Sequence, residues 1–206
     1  DLAIGTNSTA GQSSATHGYA SGGLTSPTSD PERNFIQKFT FATNGNATDI
    51  SNLTLSRDMP SGQSSIGNGY GYTSGGSLGA SPNLQYDRID RFPFASDDDA
   101  TDVGNLTVGR YGPSGQSSTT HGYTSGGFIT TNIIDKFSFA ADGNATDVGD
   151  LTAGRYMYSA GTSSTASGYA TGPSLLVDKF PFSSDANATD VLNLTATRIF
   201  AAGQQI

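Results

Sequence analysis

One phrase, clearest from residue 106 to residue 150, returns with small edits from one end of the chain to the other. A fixed-period repeat governs how every shorter motif is read, because each motif then occurs once per structural unit rather than once per protein. The phase is set by a Leu-Thr pair. Leu53-Thr54, Leu106-Thr107, Leu151-Thr152 and Leu194-Thr195 open successive units, and Leu2-Ala3 is a worn form of the same start. One repeat domain thus divides into units 2–52, 53–105, 106–150 and 151–193, with a partial closing unit, 194–206. Successive starts are 51, 53, 45 and 43 residues apart. The extra residues fall between a Gly-Gly step and a Phe-x-Phe segment, at 25–34 in the first unit and 77–88 in the second. That stretch is therefore a loop, and the constant part is scaffold.

Each unit is expected to hold four short strands. In the third unit they fall near 117–120, 121–125, 133–140 and 146–152, with turn residues every 8–12 positions and no helical period. This spacing favours an all-β sandwich, barrel or propeller. The third strand carries the strongest signal: Ile36-Gln37-Lys38-Phe39-Thr40-Phe41, then Ile89 to Phe94, Ile134 to Phe139 and Val177 to Phe182 in the same pattern. Alternation places the two phenylalanines on one face and the Ile or Val on the other, so the sheet is packed on both sides. Phe39, Phe92, Phe137 and Phe180 are the repeat-locked rings, and a single unit cannot shelter them; stacked neighbours can. Pro93 and Pro181 remove a ladder donor, so that position points away from pairing or ends the strand.

Composition narrows the function. The 27 glycines and low hydrophobic content could signal disorder, but most of the eleven Phe and nine Tyr recur at fixed repeat positions. There is no cysteine, hence no disulfide framework, thiolate metal site or Cys nucleophile. No apolar run approaches the roughly 20 residues needed to cross a bilayer, so a soluble chain without membrane insertion is expected. Net charge is −8, and eight of the ten basic residues occupy two repeat positions: Arg57, Arg110, Arg155, Arg198, and Lys38, Arg91, Lys136, Lys179. No basic cluster is left to track a phosphate backbone, which argues against nucleic acid. The chain begins at Asp1 rather than Met, as a processed protein or a section of a longer one would.

Several residues together resemble a Kelch repeat. That motif places an Arg before the first strand, an aromatic-x-x-Gly-Gly at the end of the second, an apolar third strand and a fourth running into the next unit. Here these are Arg110, Tyr123-Thr124-Ser125-Gly126-Gly127, the segment from Ile134 to Phe139, and Val148 to Leu151. Tyr19 to Gly23 and Tyr72 to Gly76 match equally, whereas Gly172-Pro173 has lost the second Gly. The usual fourth-strand Trp is absent, and the link from first to second strand is short. The resemblance implies a β-propeller of four-stranded antiparallel blades, about four to five of them. The wording from Asn144 to Thr152 and from Thr120 to Gly127 is also similar to repeats in virion proteins of marine, especially cyanobacterial, phages. The tail overlays the start, Gly203-Gln204 on Gly11-Gln12. That fits a small ring whose ends meet in one blade, and equally a slice of a ring completed by another chain or by further sequence.

The repeat also dictates how polar motifs read. Each repeated Arg follows an Asp by eight residues: Asp49 and Arg57, Asp102 and Arg110, Asp147 and Arg155, Asp190 and Arg198. The invariant spacing suggests a charge-assisted contact joining blades, with a ligand-binding Arg ring as the alternative. The loop between third and fourth strands, for example Asp97-Asp98-Asp99-Ala100-Thr101-Asp102, offers oxygens that could begin a calcium site, but lacks EF-hand spacing and also suits metal-free Asx turns. Asn-x-Ser/Thr triplets recur at two repeat positions, where turn chemistry explains them. His17 and His121 share one slot, read as a hydrogen-bonded rim or core His. No unrepeated polar cluster suggests a catalytic site. The expected function is a non-enzymatic structural or adhesion propeller, needing no cofactor, in a virion or extracellular setting. Its partners would be proteins, copies of itself, or surface glycans. The alternative is a lectin-like propeller using Tyr19, Tyr72, Tyr123 and Tyr169 as stacking platforms.

Overall fold

Each unit folds into its own four-stranded antiparallel sheet, with strands paired in chain order. The computed structural model describes residues 1–25, 33–78, 84–128, 131–155, 159–172, 174–197 and 203. The first blade comprises β1 (Ala10–Ser13), β2 (His17–Ser21), β3 (Phe35–Thr40) and β4 (Thr48–Asn52). The second comprises β5 (Ser61–Ser65), β6 (Tyr70–Ser74), β7 (Arg88–Pro93) and β8 (Thr101–Asn105). The third holds β9 (Ser114–Ser117), β10 (His121–Ser125), β11 (Ile133–Ser138) and β12 (Thr146–Asp150), and the fourth β13 (Ala160–Ser163), β14 (Ser167–Thr171), β15 (Leu176–Pro181) and β16 (Thr189–Asn193). The chain is therefore an all-β propeller of four blades, with no helix among the described residues.

Local chemistry explains the blade. In the third blade β10 and β11 pair Gly122 with Phe137 and Tyr123 with Lys136. A Cβ on Gly122 would run into the Phe137 ring, so glycine lets the ring lie flat over the neighbouring strand. The same Gly-under-Phe pairing recurs at Gly18 and Phe39, Gly71 and Phe92, and Gly168 and Phe180. Beyond β10, Gly126 and Gly127 have φ of +64° and +109°, which side-chain-bearing residues adopt only with strain. Pro93 and Pro181 are the last residues of β7 and β15, as the missing donor requires.

The apolar core is divided among the junctions. One cluster joins Tyr19, Ile36 and Leu53 to Phe92 and Ala100 of the next blade. A second joins Tyr72, Ile89, Val103 and Leu106 to Phe137, Phe139 and Ala145. A third joins Tyr123, Ile134 and Leu151 to Ala170, Phe180 and Ala188. The two faces of β7 and of β11 thus serve two different junctions. Ile134 faces the fourth blade while Phe137 faces the second.

The inner strands β1, β5, β9 and β13 follow one another around a central cavity of about 800 Å³. Their backbones approach so closely that a Cβ on Gly62 would strike the Gly11 carbonyl, and likewise Gly115 on Gly62 and Gly161 on Gly115. The series does not return to its start. Gly203 of the tail lies on Gly161, whereas a Cβ on Gly11 would meet open space. Gly203 thus takes a fifth place, and among the described residues no blade lies on the leading face of the first.

Candidate functional site

The chemistry of the repeat is concentrated at the blade junctions, and three junctions repeat one set of contacts. Tyr19 stacks on Phe94, with ring centroids 4.9 Å apart, and tilts against Phe92 at 5.5 Å. Tyr72 meets Phe139 and Phe137 at 4.9 and 5.5 Å, and Tyr123 meets Phe182 and Phe180 at 4.8 and 5.5 Å. These three tyrosines are buried, and desolvation raises their pKa above the ordinary value, with hydrogen bonds or nearby cations pulling the other way.

Polar groups repeat just as regularly. The buried amide of Gln12 donates to the Tyr72 carbonyl at 2.9 Å and to Thr73 Oγ1 at 3.0 Å. Gln63 makes the same bonds to Tyr123 and Thr124, and Gln116 to the Tyr169 carbonyl. At the rim Lys38 pairs with Asp97 at 2.5 Å, Arg91 with Asp142 at 2.5 Å, and Lys136 with Asp185. Two positions of the acidic loop that could have begun a calcium site are therefore engaged across the junction. Asp97, Asp142 and Asp185 meet these cations, while Asp99, Asn144 and Asn187 accept the backbone N–H of Asn52, Asn105 and Asp150. No group of three or more potential ligands that could hold a metal ion occurs among the described residues.

Arg57, Arg110 and Arg155 are buried, but their partners differ from those the spacing suggests. Arg57, Arg110 and Arg155 pair with third-strand aspartates: Arg57 with Asp90, Arg110 with Asp135 at 2.9 Å, and Arg155 with Asp178 at 2.7 Å. Each carboxylate also accepts from a threonine of the opening Leu-Thr pair, Thr54, Thr107 or Thr152. Burial lowers the pKa of Arg57 and Arg110, opposed by the adjacent aspartate. Asp49, Asp102, Asp147 and Asp190 instead stand exposed at the start of the outer strands. Asp102 and Asp147 accept from Gly104 and Gly149, and Asp102 also pairs with Arg88 at 3.2 Å. Partial desolvation by the surrounding residues raises the pKa of Asp49 even so. Arg198 lies outside the described residues, as do 26–32 and 79–83 of the two insertions.

The sequence held a signal for this pairing. The first unit has Thr6 where the others carry Arg, and Gln37 where they carry Asp. The two losses go together, and Gln37 bonds Ile4 and Thr6 in a neutral version of the staple.

His17 and His121 sit at the rim, each with Nδ1 2.8 Å from the hydroxyl of the preceding threonine. Burial, then Lys136, lowers the pKa of His121.

The exposure of the four repeat-locked rings marks where the repeat is interrupted. Phe92, Phe137 and Phe180 are 1%, 4% and 1% exposed, but Phe39 is 38% and Phe41 56%. Three of the four rings are sheltered as the stacking argument requires; Phe39 lies on the leading face that no blade covers. At the other end Tyr169 is half-buried, and Leu192 of β16 is exposed. Lys179 lies 6.0 Å over the Tyr169 ring, where its counterparts reach a carboxylate of the following blade.

No protein-family model matches the chain, and no curated protein matches it. Among the described residues no helix is long and apolar enough to cross a membrane.

Proposed function

We propose that the chain is a non-enzymatic structural or adhesion module of a virion or other extracellular assembly, making protein–protein or host-surface contacts. The observation that carries this reading is where the repeated polar groups go. The Gln amides, the rim cations Lys38, Arg91 and Lys136, and the buried Arg–Asp pairs are engaged in holding the blades and their junctions. Three near-identical copies of each contact suit a scaffold better than a single reacting centre. The resemblance to Kelch-like repeats and to the wording of marine phage virion proteins supports the same setting. The contact surface falls on the insertions at 25–34 and 77–88, where unit length varies while the scaffold stays constant. The lectin alternative drew on four tyrosines, and three of these are covered by the next blade's phenylalanines.

Mass spectrometry of purified virions or surface filaments from the source tests the proposal. The chain should co-purify with assembled particles in stoichiometric amount. Its absence from every assembled fraction would end the reading.

A further inference from the structure

Every internal junction is made from two unlike halves. The trailing face of one blade offers a tyrosine and a rim cation. The leading face of the next offers a Phe pair laid over a glycine. Among the described residues one half of each kind stands uncovered, on the first and the fourth blade. The first blade presents Phe39, laid over Gly18, beside Phe41, with ring centroids 5.9 Å apart in the same edge-on geometry as the pairs within the junctions. The fourth presents Tyr169, Lys179 and the exposed Leu192. The exposed ring pair is therefore already set in its docked arrangement, which lowers the ordering cost of binding.

We propose that these two faces bind each other between copies of the chain, head to tail, so that Tyr169 of one copy covers Phe39 and Phe41 of the next. The occupant is a second copy because this chain carries both halves of the contact on opposite ends, which is the requirement for a heterologous assembly. The contact is weaker than an internal junction. The leading face has Asn44 where later blades have Asp97, Asp142 and Asp185, so Lys179 meets a neutral acceptor. Gly203 lies on Gly161 in the place that Gly11 of an incoming copy would take, so the tail competes with assembly. The inference rests on junction geometry and does not depend on the virion reading.

The chain has no cysteine, so introduced pairs report cleanly. In the full chain carrying both Phe41→Cys and Tyr169→Cys, oxidation should give disulfide-linked dimers and longer ladders on a non-reducing gel. Neither single variant should cross-link. A disulfide within one chain would mean that the ring shuts on itself, and cross-linking by Phe41→Cys alone would mean front-to-front pairing; either overturns the proposal. Sedimentation of the cysteine-free protein should show concentration-dependent association, reduced about tenfold or more in Phe39→Ser/Phe41→Ser with the far-ultraviolet spectrum unchanged. Deleting residues 198–206 should strengthen association. A protein that stays monomeric at every concentration, a double variant that associates like the parent, or a deletion that weakens association would each refute it.

Discussion

Phe92 and Phe39 occupy the same repeat position over equivalent glycines, yet one has a blade in front of it and the other does not. Truncating them separates what the junction contributes from what the strand contributes. Phe92 is 1% exposed and packs on Tyr19 and Gly71. Phe92→Ala removes its full transfer term and leaves a cavity that rigid sheets on both sides cannot close, a loss of about 3–5 kcal/mol. Phe39 is 38% exposed, on the leading face of the first blade. Phe39→Ala forfeits part of the transfer term and encloses no void, so about 1–2 kcal/mol is expected. Urea unfolding at dilution, where self-association is absent, measures both. With an m-value of about 2–3 kcal/mol per M, the midpoint should fall by about 1–2 M for Phe92→Ala and by roughly half a molar for Phe39→Ala. Equal shifts at unchanged m, or a larger shift for Phe39→Ala, would show that the rings are not sheltered by the neighbouring blade, and the account of the fold would fail.

Further predictions concern the staple, the inner glycines and the tyrosines. Asp90→Gln leaves the Arg57 guanidinium buried beside a neutral amide and should cost about 3–5 kcal/mol. Adding Arg57→Thr copies the first blade's Thr6–Gln37 wiring and should recover more than half of that loss in the same unfolding assay. A double variant less stable than Asp90→Gln would refute the equivalence. Gly62→Ala drives a Cβ into the Gly11 carbonyl and should cost about 1–3 kcal/mol, whereas Gly11→Ala enters open space and should lie within about 0.5 kcal/mol of the parent; matching melting curves for the two variants would contradict the backbone stacking. The raised pKa values of Tyr19, Tyr72 and Tyr123 mean that the folded state holds these protons more tightly than the unfolded state. Stability they support is complete below the unfolded value near 10 and lost as pH rises through the folded values. Ultraviolet titration should resolve a late-ionising class of tyrosines, lost in urea; a single titration at the unfolded value would exclude it.

The linear order of residues was enough to place most of the blade. The pattern predicts a strand at His121–Ser125, where β10 lies, and the third strand to within two residues, whereas β9 at Ser114–Ser117 starts three residues before the predicted 117–120. Alternation on that strand also assigned the phenylalanines and the isoleucine to opposite faces correctly, because side-chain direction in a strand follows from sequence parity alone.

The partner of each arginine was decided only in three dimensions. The invariant eight-residue step from Asp102 to Arg110 reflects a constant connection, in which the chain leaves an outer strand and crosses to the inner strand of the next blade. The true partners lie 33, 25 and 23 residues away, because the variable insertion falls between them and hides the pairing from any fixed-spacing search. The role of Gly18, Gly71, Gly122 and Gly168 as beds for the phenylalanine rings likewise depends on strands meeting in register. The repeat by itself determined the blade, since periodicity and strand parity are written along the chain. Where the series of blades begins and ends, and therefore which rings stand uncovered, depended on how closely one glycine backbone lies against the next, a distance that only the packed structure sets.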